Sequence, residues 1–170
     1  SEERFRQLAE TIQEVFWITN PQKNQIIYVS PAYQKIWGQG VESLYADPEN
    51  WIKAIHSEDK DTTIAALKEQ MKGNTYNTEY RIIRPDGSIR WIHDMGFPIK
   101  NELGSIDRIV GVARDITERK QAEATILDLN TSLEKKVEQR TEELRKSNLD
   151  LSDAVKNLQK TMMELKGTQD

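Results

Sequence analysis

Cysteine is absent from all 170 residues. That excludes disulfides, a thiolate nucleophile, cysteine-ligated metals and cysteinyl cofactor adducts, and it fits a reducing compartment. No apolar run reaches membrane-spanning length and no secretory leader is visible, so no direct membrane contact is expected and a cytoplasmic location is, in a parent that could itself be membrane-anchored. A basic stripe is also missing. The 24 Lys and Arg are outnumbered by 28 Asp and Glu, for a net charge of −4, and nucleic acid is not an expected partner. Neither Pro nor Gly occurs between Gly111 and Gly167. A stretch without either residue is free to run as one long helix.

Asp115-Ile116-Thr117 stands where that stretch begins, and the chain is organised around it. Asp115 suits a helix N-cap, because its carboxylate can accept the free N–H groups of the first turn. Before it, the chain is long enough for one hydrophobic core. Glu2 to Ile12 has Phe5, Leu8, Ala9 and Ile12 at helical spacing. Val15–Ile18 and Gln25–Ser30 read as a hairpin around Asn20-Pro21-Gln22-Lys23-Asn24. Short helices follow, the first with Ser30 as its cap and Ala32, Tyr33, Ile36 and Trp37 as its apolar face. A longer helix runs from its cap Ser57 to Lys72, with Ile64, Leu67 and Met71 expected inside. Thr75–Arg84, Ser88–Lys100 and Ser105–Arg114 then form a three-strand meander, turned at Pro85-Asp86-Gly87 and Asn101-Glu102-Leu103-Gly104. Strands, helices and strands in this order give an α+β fold, an antiparallel sheet with helices on one side.

Beyond Thr117 an apolar seam runs through Ile126, Leu129, Leu133, Val137, Leu144, Leu151, Val155, Leu158, Met162 and Leu165. Arg140 and Asn148 fill its two gaps. The early spacing repeats every eleven residues and the later one every seven, which means a nearly straight helix passing into a left-handed supercoil. Such a narrow stripe needs a partner helix. At roughly 75 Å, from 1.5 Å per residue, the helix is too long for a domain of this size to cover. In its last part Asn148, Val155 and Met162 take the a positions and Leu151, Leu158 and Leu165 the d positions. That pattern favours a parallel homodimer, with Asn148 fixing register at some cost in stability.

His56, Ser57 and Asp59 hold the letters of a hydrolase triad, but adjacent residues cap a helix more readily than they converge. His56 and His93 have no carboxylates at metal-ligand spacing, so neither a metal nor a catalytic residue is expected. Trp37-Gly38-Gln39-Gly40 lacks the third glycine and the preceding strand of a dinucleotide site. Trp17, Tyr33, Trp37, Trp51, Tyr80 and Trp91 either line a ligand pocket or fill a core.

The ordered strings Tyr28-Val29-Ser30-Pro31-Ala32-Tyr33, Ile36-Trp37-Gly38, Ile55-His56-Ser57-Glu58-Asp59, Glu79-Tyr80-Arg81, Asp86-Gly87-Ser88, Arg90-Trp91-Ile92 and Asp115-Ile116-Thr117-Glu118-Arg119-Lys120 resemble a PAS domain with its PAC region. The resemblance covers about residues 3 to 120. It implies a five-stranded antiparallel sheet in the order 2-1-5-4-3, with helices around a pocket on one face. It divides the chain into a sensor domain, 1–116, and a coiled-coil signalling linker, 117–170. It also implies that Asp115 and Thr117 bond to one another and set how the output helix leaves the sheet.

No cofactor is expected. Flavin and haem are disfavoured, since there is no cysteine for an adduct and no His in the helix from Ser57 to Lys72, where haem-binding relatives often carry one. Val137–Leu144 resembles the connector before the phosphoacceptor helices of sensor histidine kinases. The implied function is therefore a non-enzymatic sensory and dimerisation module that passes a signal to a downstream output domain, most simply a histidine kinase. The alternatives are a flavin or haem redox or light sensor, the input of a diguanylate cyclase or chemoreceptor, and a constitutive dimerisation scaffold.

Overall fold

Two short side chains make the hairpins of the meander. In the computed structural model, which describes residues 1–168, Asp86 accepts the N–H of Ser88 while Gly87 takes a left-handed φ of 85°. Asn101 likewise accepts the N–H groups of Leu103 and Ser105. Such Asx turns reverse the chain without needing the sheet. The strands they join are β3 (Tyr76–Ile83), β4 (Ile89–Lys100) and β5 (Ile106–Asp115). The first hairpin, β1 (Val15–Asn20) and β2 (Gln25–Val29), turns on Asn20, whose carboxamide oxygen accepts from Gln22 and Lys23. All pairings are antiparallel and the sheet order is β2-β1-β5-β4-β3, as the resemblance implies.

The helices before the meander are α1 (Glu2–Thr11), α2 (Ala32–Trp37), α3 (Val41–Ala46), α4 (Asn50–Lys53) and α5 (Ser57–Met71). The core lies between the sheet and α2–α4: Val15, Val29, Tyr33, Ile36, Trp37, Leu44, Ile55, Tyr80, Ile82 and Ile92 pack together there. The last helix, α6, runs unbroken through 52 residues, Thr117–Thr168. Gln169 and Asp170, the end of the expected linker 117–170, lie outside the described residues. Two compact units result, Ser1–Gln121 and the length of α6 from Ala122 onward.

Local assignments differ from expectation in four places. The cap of α5 is His56, whose Nδ1 accepts from the N–H of Glu58 at 3.3 Å, and not Ser57. Ser30 does not cap α2. Its hydroxyl is buried, accepting from Phe16 N–H and donating to the Glu14 carbonyl, so it ties β1 to the end of β2. The buried residues of α5 are Thr63 and Gln70, with Met71 exposed; Thr63 tolerates burial because its hydroxyl donates to the Asp59 carbonyl. In α1 only Ala9 is buried, while Phe5 meets the ring of Tyr28 edge-on.

Candidate functional site

Side chains alternate along β4, so Ile92, Asp94 and Gly96 share the inner face of the sheet while Trp91, His93 and Met95 share the outer one. A carboxylate at an inner position has to find donors. Trp17 on β1 donates its indole N–H to Asp94 Oδ1 at 3.0 Å, and Tyr80 on β3 donates its hydroxyl to Oδ2 at 2.8 Å. Burial pushes the Asp94 carboxyl up to about 7, and these two bonds hold it from rising further. The Trp17 indole reaches Asp94 because Gly111 and Gly96, paired across β5 and β4, lie beneath it. A β-carbon on Gly111 would overlap both the indole and the Met95 carbonyl oxygen.

Above this face lies a cavity of about 360 Å³. Of the six aromatic residues named from sequence, Trp17, Tyr33, Trp37, Trp51 and Tyr80 line it. Asp94, Tyr76 and Gln70 line it as well, and sequence reasoning missed all three. Four buried polar atoms on this wall have no hydrogen-bond partner: Tyr33 Oη, Trp37 Nε1, Gln70 Nε2 and Tyr76 Oη. Burial raises the Tyr33, Tyr76 and Tyr80 phenols, so all three stay protonated at neutral pH. An unpaired buried donor typically costs about 1–3 kcal/mol, and all four atoms belong to residues that line this cavity.

Trp91 is elsewhere, because its place in the alternation is the outer face. Both the Arg81 guanidinium, 5.4 Å from the ring centroid, and the Lys120 ammonium, at 4.9 Å, stand over its ring. Trp91 therefore belongs to the root of α6. Its backbone does too: the carbonyl accepts from Ile116 N–H at 2.9 Å and the N–H donates to Thr117 Oγ1 at 2.9 Å. Asp115 Oδ1 accepts from the N–H of Thr117 at 2.9 Å and from its hydroxyl at 2.5 Å. Asp115 and Thr117 thus bond as the resemblance implied, and Ile116 is buried between them. Glu79 on β3 takes both Lys120 (2.6 Å) and Arg119 (2.7 Å), and the Lys120 bond, more than Arg119, lowers its carboxyl pKa. Arg81 also grips Asp59 and Glu58 at the start of α5, the helix whose Leu67 and Gln70 line the cavity. Packed and charged contacts so connect the cavity wall, through α5, Arg81 and Trp91, to the first turn of α6.

His56 caps α5 and His93 bonds Asn77, so the two histidines have separate structural roles. Among the described residues no group of three His, Cys, Asp or Glu could hold a metal, and no helix is long and apolar enough to cross a membrane. The seam residues from Ile126 to Leu165 all lie on α6 and are exposed, Asn148 and Arg140 among them.

Comparison with known proteins agrees with this architecture. The family model described as PAS fold matches residues 26–113. A blue-light-activated histidine kinase of Brucella anthropi is 30% identical over 128 residues, 73% of this chain and 24% of that protein. A sensory box histidine kinase/response regulator structure from Burkholderia thailandensis is 31% identical with a TM-score of 0.60, covering 78% of this chain and 98% of that one. A histidine kinase domain from Haloarcula marismortui is 30% identical with a TM-score of 0.56, covering 68% and 99%. The chain spans between 8 and 24% of the length of the curated relatives it matches. The matched segment and the shared fold agree with the sheet described above, and the chain belongs to the PAS fold family.

Proposed function

We propose that this chain is the sensory and dimerisation module of a sensor histidine kinase, itself without catalysis. The cavity is its ligand site, Asp115-Ile116-Thr117 couples the sheet to α6, and α6 pairs in parallel with the same helix of a second copy. The observation that carries the reading is the root of α6, where one strand of the hollow sheet, through Trp91, holds the first turn of a 52-residue helix by two backbone groups and an indole ring. Its relatives with printed functions support the kinase as output. A kinase core needs ATP, and the same reading puts the module in the cytoplasm. A ligand can shift an output only by a difference in its affinity for two states. Two rotations or registers of the paired seam supply such states.

Output should then follow helix phase. Each residue turns a helix by about 100°, so removing 151–157 nearly restores the phase and keeps the later seam in line, whereas removing one, two or four residues does not. Autophosphorylation of the full-length kinase is the assay. Regulation is expected to survive the seven-residue deletion and to be lost, or locked on or off, in the others. A smooth decline with linker length, without recovery at seven, would leave simple tethering.

A further inference from the structure

The charge on the cavity wall is of one sign. Among the described residues Asp94 and Glu49 line it, and no Lys, Arg or His does. Asp94 is held only by neutral donors, Trp17 and Tyr80, which occupy one lone-pair site on each oxygen and leave the others open. Six rings line the same space, three indoles (Trp17, Trp37, Trp51) and three phenols (Tyr33, Tyr76, Tyr80). Tryptophan and tyrosine faces attract cations, most strongly where water is excluded. An anion would meet a carboxylate and no counter-charge. A neutral molecule would leave Asp94 to take up a proton and would gain nothing from its charge. Two of the unpaired atoms, Trp37 Nε1 and Gln70 Nε2, can only donate, so the occupant also needs an acceptor.

Resting on the reading of the cavity as a ligand site, we propose that it binds a small organic ammonium ion carrying an oxygen acceptor. The cationic end lies against Asp94 and the rings, and the oxygen takes the N–H groups of Trp37 and Gln70. The cavity's volume of about 360 Å³ is at the small end of ligand pockets, roughly 300–1,000 Å³, and suits a compact molecule.

Binding should depend on pH through Asp94. The groups that face it are Tyr80 and Tyr76 from β3 and Trp17 from β1, with Tyr33 and Glu49 further along the wall. The phenols stay protonated, so Asp94 is the group that titrates near neutrality. Affinity for a cation should fall about tenfold per pH unit below 7 and level off above it, whereas a neutral isostere should show no such slope.

The test is titration of the whole chain with three molecules of one shape: choline, its neutral carbon isostere 3,3-dimethylbutan-1-ol, and the anion 3,3-dimethylbutanoate. The indole N–H resonances of the four tryptophans are followed by NMR. Trp17, Trp37 and Trp51 report the cavity, and Trp91, outside it, is the internal control. Choline is expected to bind at least about tenfold more tightly than the alcohol, and the anion not at all. Asp94→Asn should shrink the preference for choline to the roughly 2- to 5-fold that the rings alone supply. Gln70→Leu should weaken both alike and keep their ratio, so the charge preference is readable even if Asp94→Asn fails to fold. Equal binding of choline and the alcohol, or preference for the anion, overturns the ligand class and keeps the cavity as a binding site. Failure of all three to move the cavity resonances at tens of millimolar overturns both.

Discussion

Tyr80, Ile82 and Ile92 in the sheet domain are wholly buried, whereas Leu133, Leu144, Leu151, Leu158 and Leu165 on α6 each leave about three-fifths of their surface in solvent. Apolar content therefore does different work in the two regions. In the first it closes a core within one chain, so stability should not depend on concentration. In the second it forms a stripe that a single copy leaves open, and an isolated helix gains too little from propensity alone to hold such a length firmly. The domain carries its own fold, and under the pairing proposed above the linker would be completed by a second copy. A change in the domain should alter folding or ligand binding, and a change in the seam should alter association.

The largest expected effect confined to the domain comes from Asp94. Its native carboxyl sits at about 7, above its unfolded value near 4, so the native state holds a proton through a window in which the unfolded chain has lost it. The stabilisation is fully present below pH 4 and is lost as pH rises through 7. The linkage relation puts the total loss on the order of 4 kcal/mol. Asp59 and Glu79, whose carboxyls are lowered by Arg81 and Lys120, pull the opposite way at the acidic end. Urea unfolding of the sheet domain between pH 5 and pH 8 should show falling stability in the wild type and a flatter profile in Asp94→Asn. A wild-type domain equally stable at both pH values would mean the carboxylate is better solvated than its burial implies.

Gly111→Ala is the next largest. Its β-carbon would meet the Trp17 indole and the Met95 carbonyl, and only the indole can move. Overpacking of this kind costs about 1–3 kcal/mol. Thermal unfolding should show that loss with a displaced Trp17 indole resonance, while association through α6 stays unchanged. An unaltered Trp17 signal would contradict the cradle.

Asp115→Ala should cost least, about 1 kcal/mol for the lost hydrogen bonds to Thr117; Asp115 ends β5, so Ile116 and not Asp115 holds the N-cap position of α6. The sheet is expected to stay folded, with faster hydrogen exchange confined to the first turns after residue 115. Global unfolding would show that the carboxylate holds the domain itself together, Arg90 being 3.6 Å from its second oxygen.

How far the sequence carried depended on whether a residue's type revealed its facing. Turns were legible because Asp86-Gly87 and Asn101 to Gly104 act locally, and α6 because neither Pro nor Gly interrupts it. Residue type alone could not say which side of a strand an aromatic takes. Trp91 has the ring of a pocket residue, yet it is one residue from Ile92 and so points the other way. Asp94 is two residues from Ile92 and shares its side, although carboxylates in strands usually face water. In α5 a face read from the apolar Ile64 and Met71 alone lies about 100°, one residue, from the face that buries Thr63 and Gln70.

The proposed pairing of α6 can be tested most directly by cross-linking. With no native cysteine, one introduced thiol per chain can pair only with its twin. A disulfide needs α-carbons about 4.4–6.8 Å apart, which paired d positions of a parallel dimer approach and outward f positions do not. Leu151→Cys at d and Asp153→Cys at f would be oxidised side by side in the full chain. Self-cross-linking at 151 at least about tenfold faster than at 153 is the predicted result. Equal rates at the two positions, or no cross-linked dimer at 151, would contradict a parallel pairing of α6 through this seam.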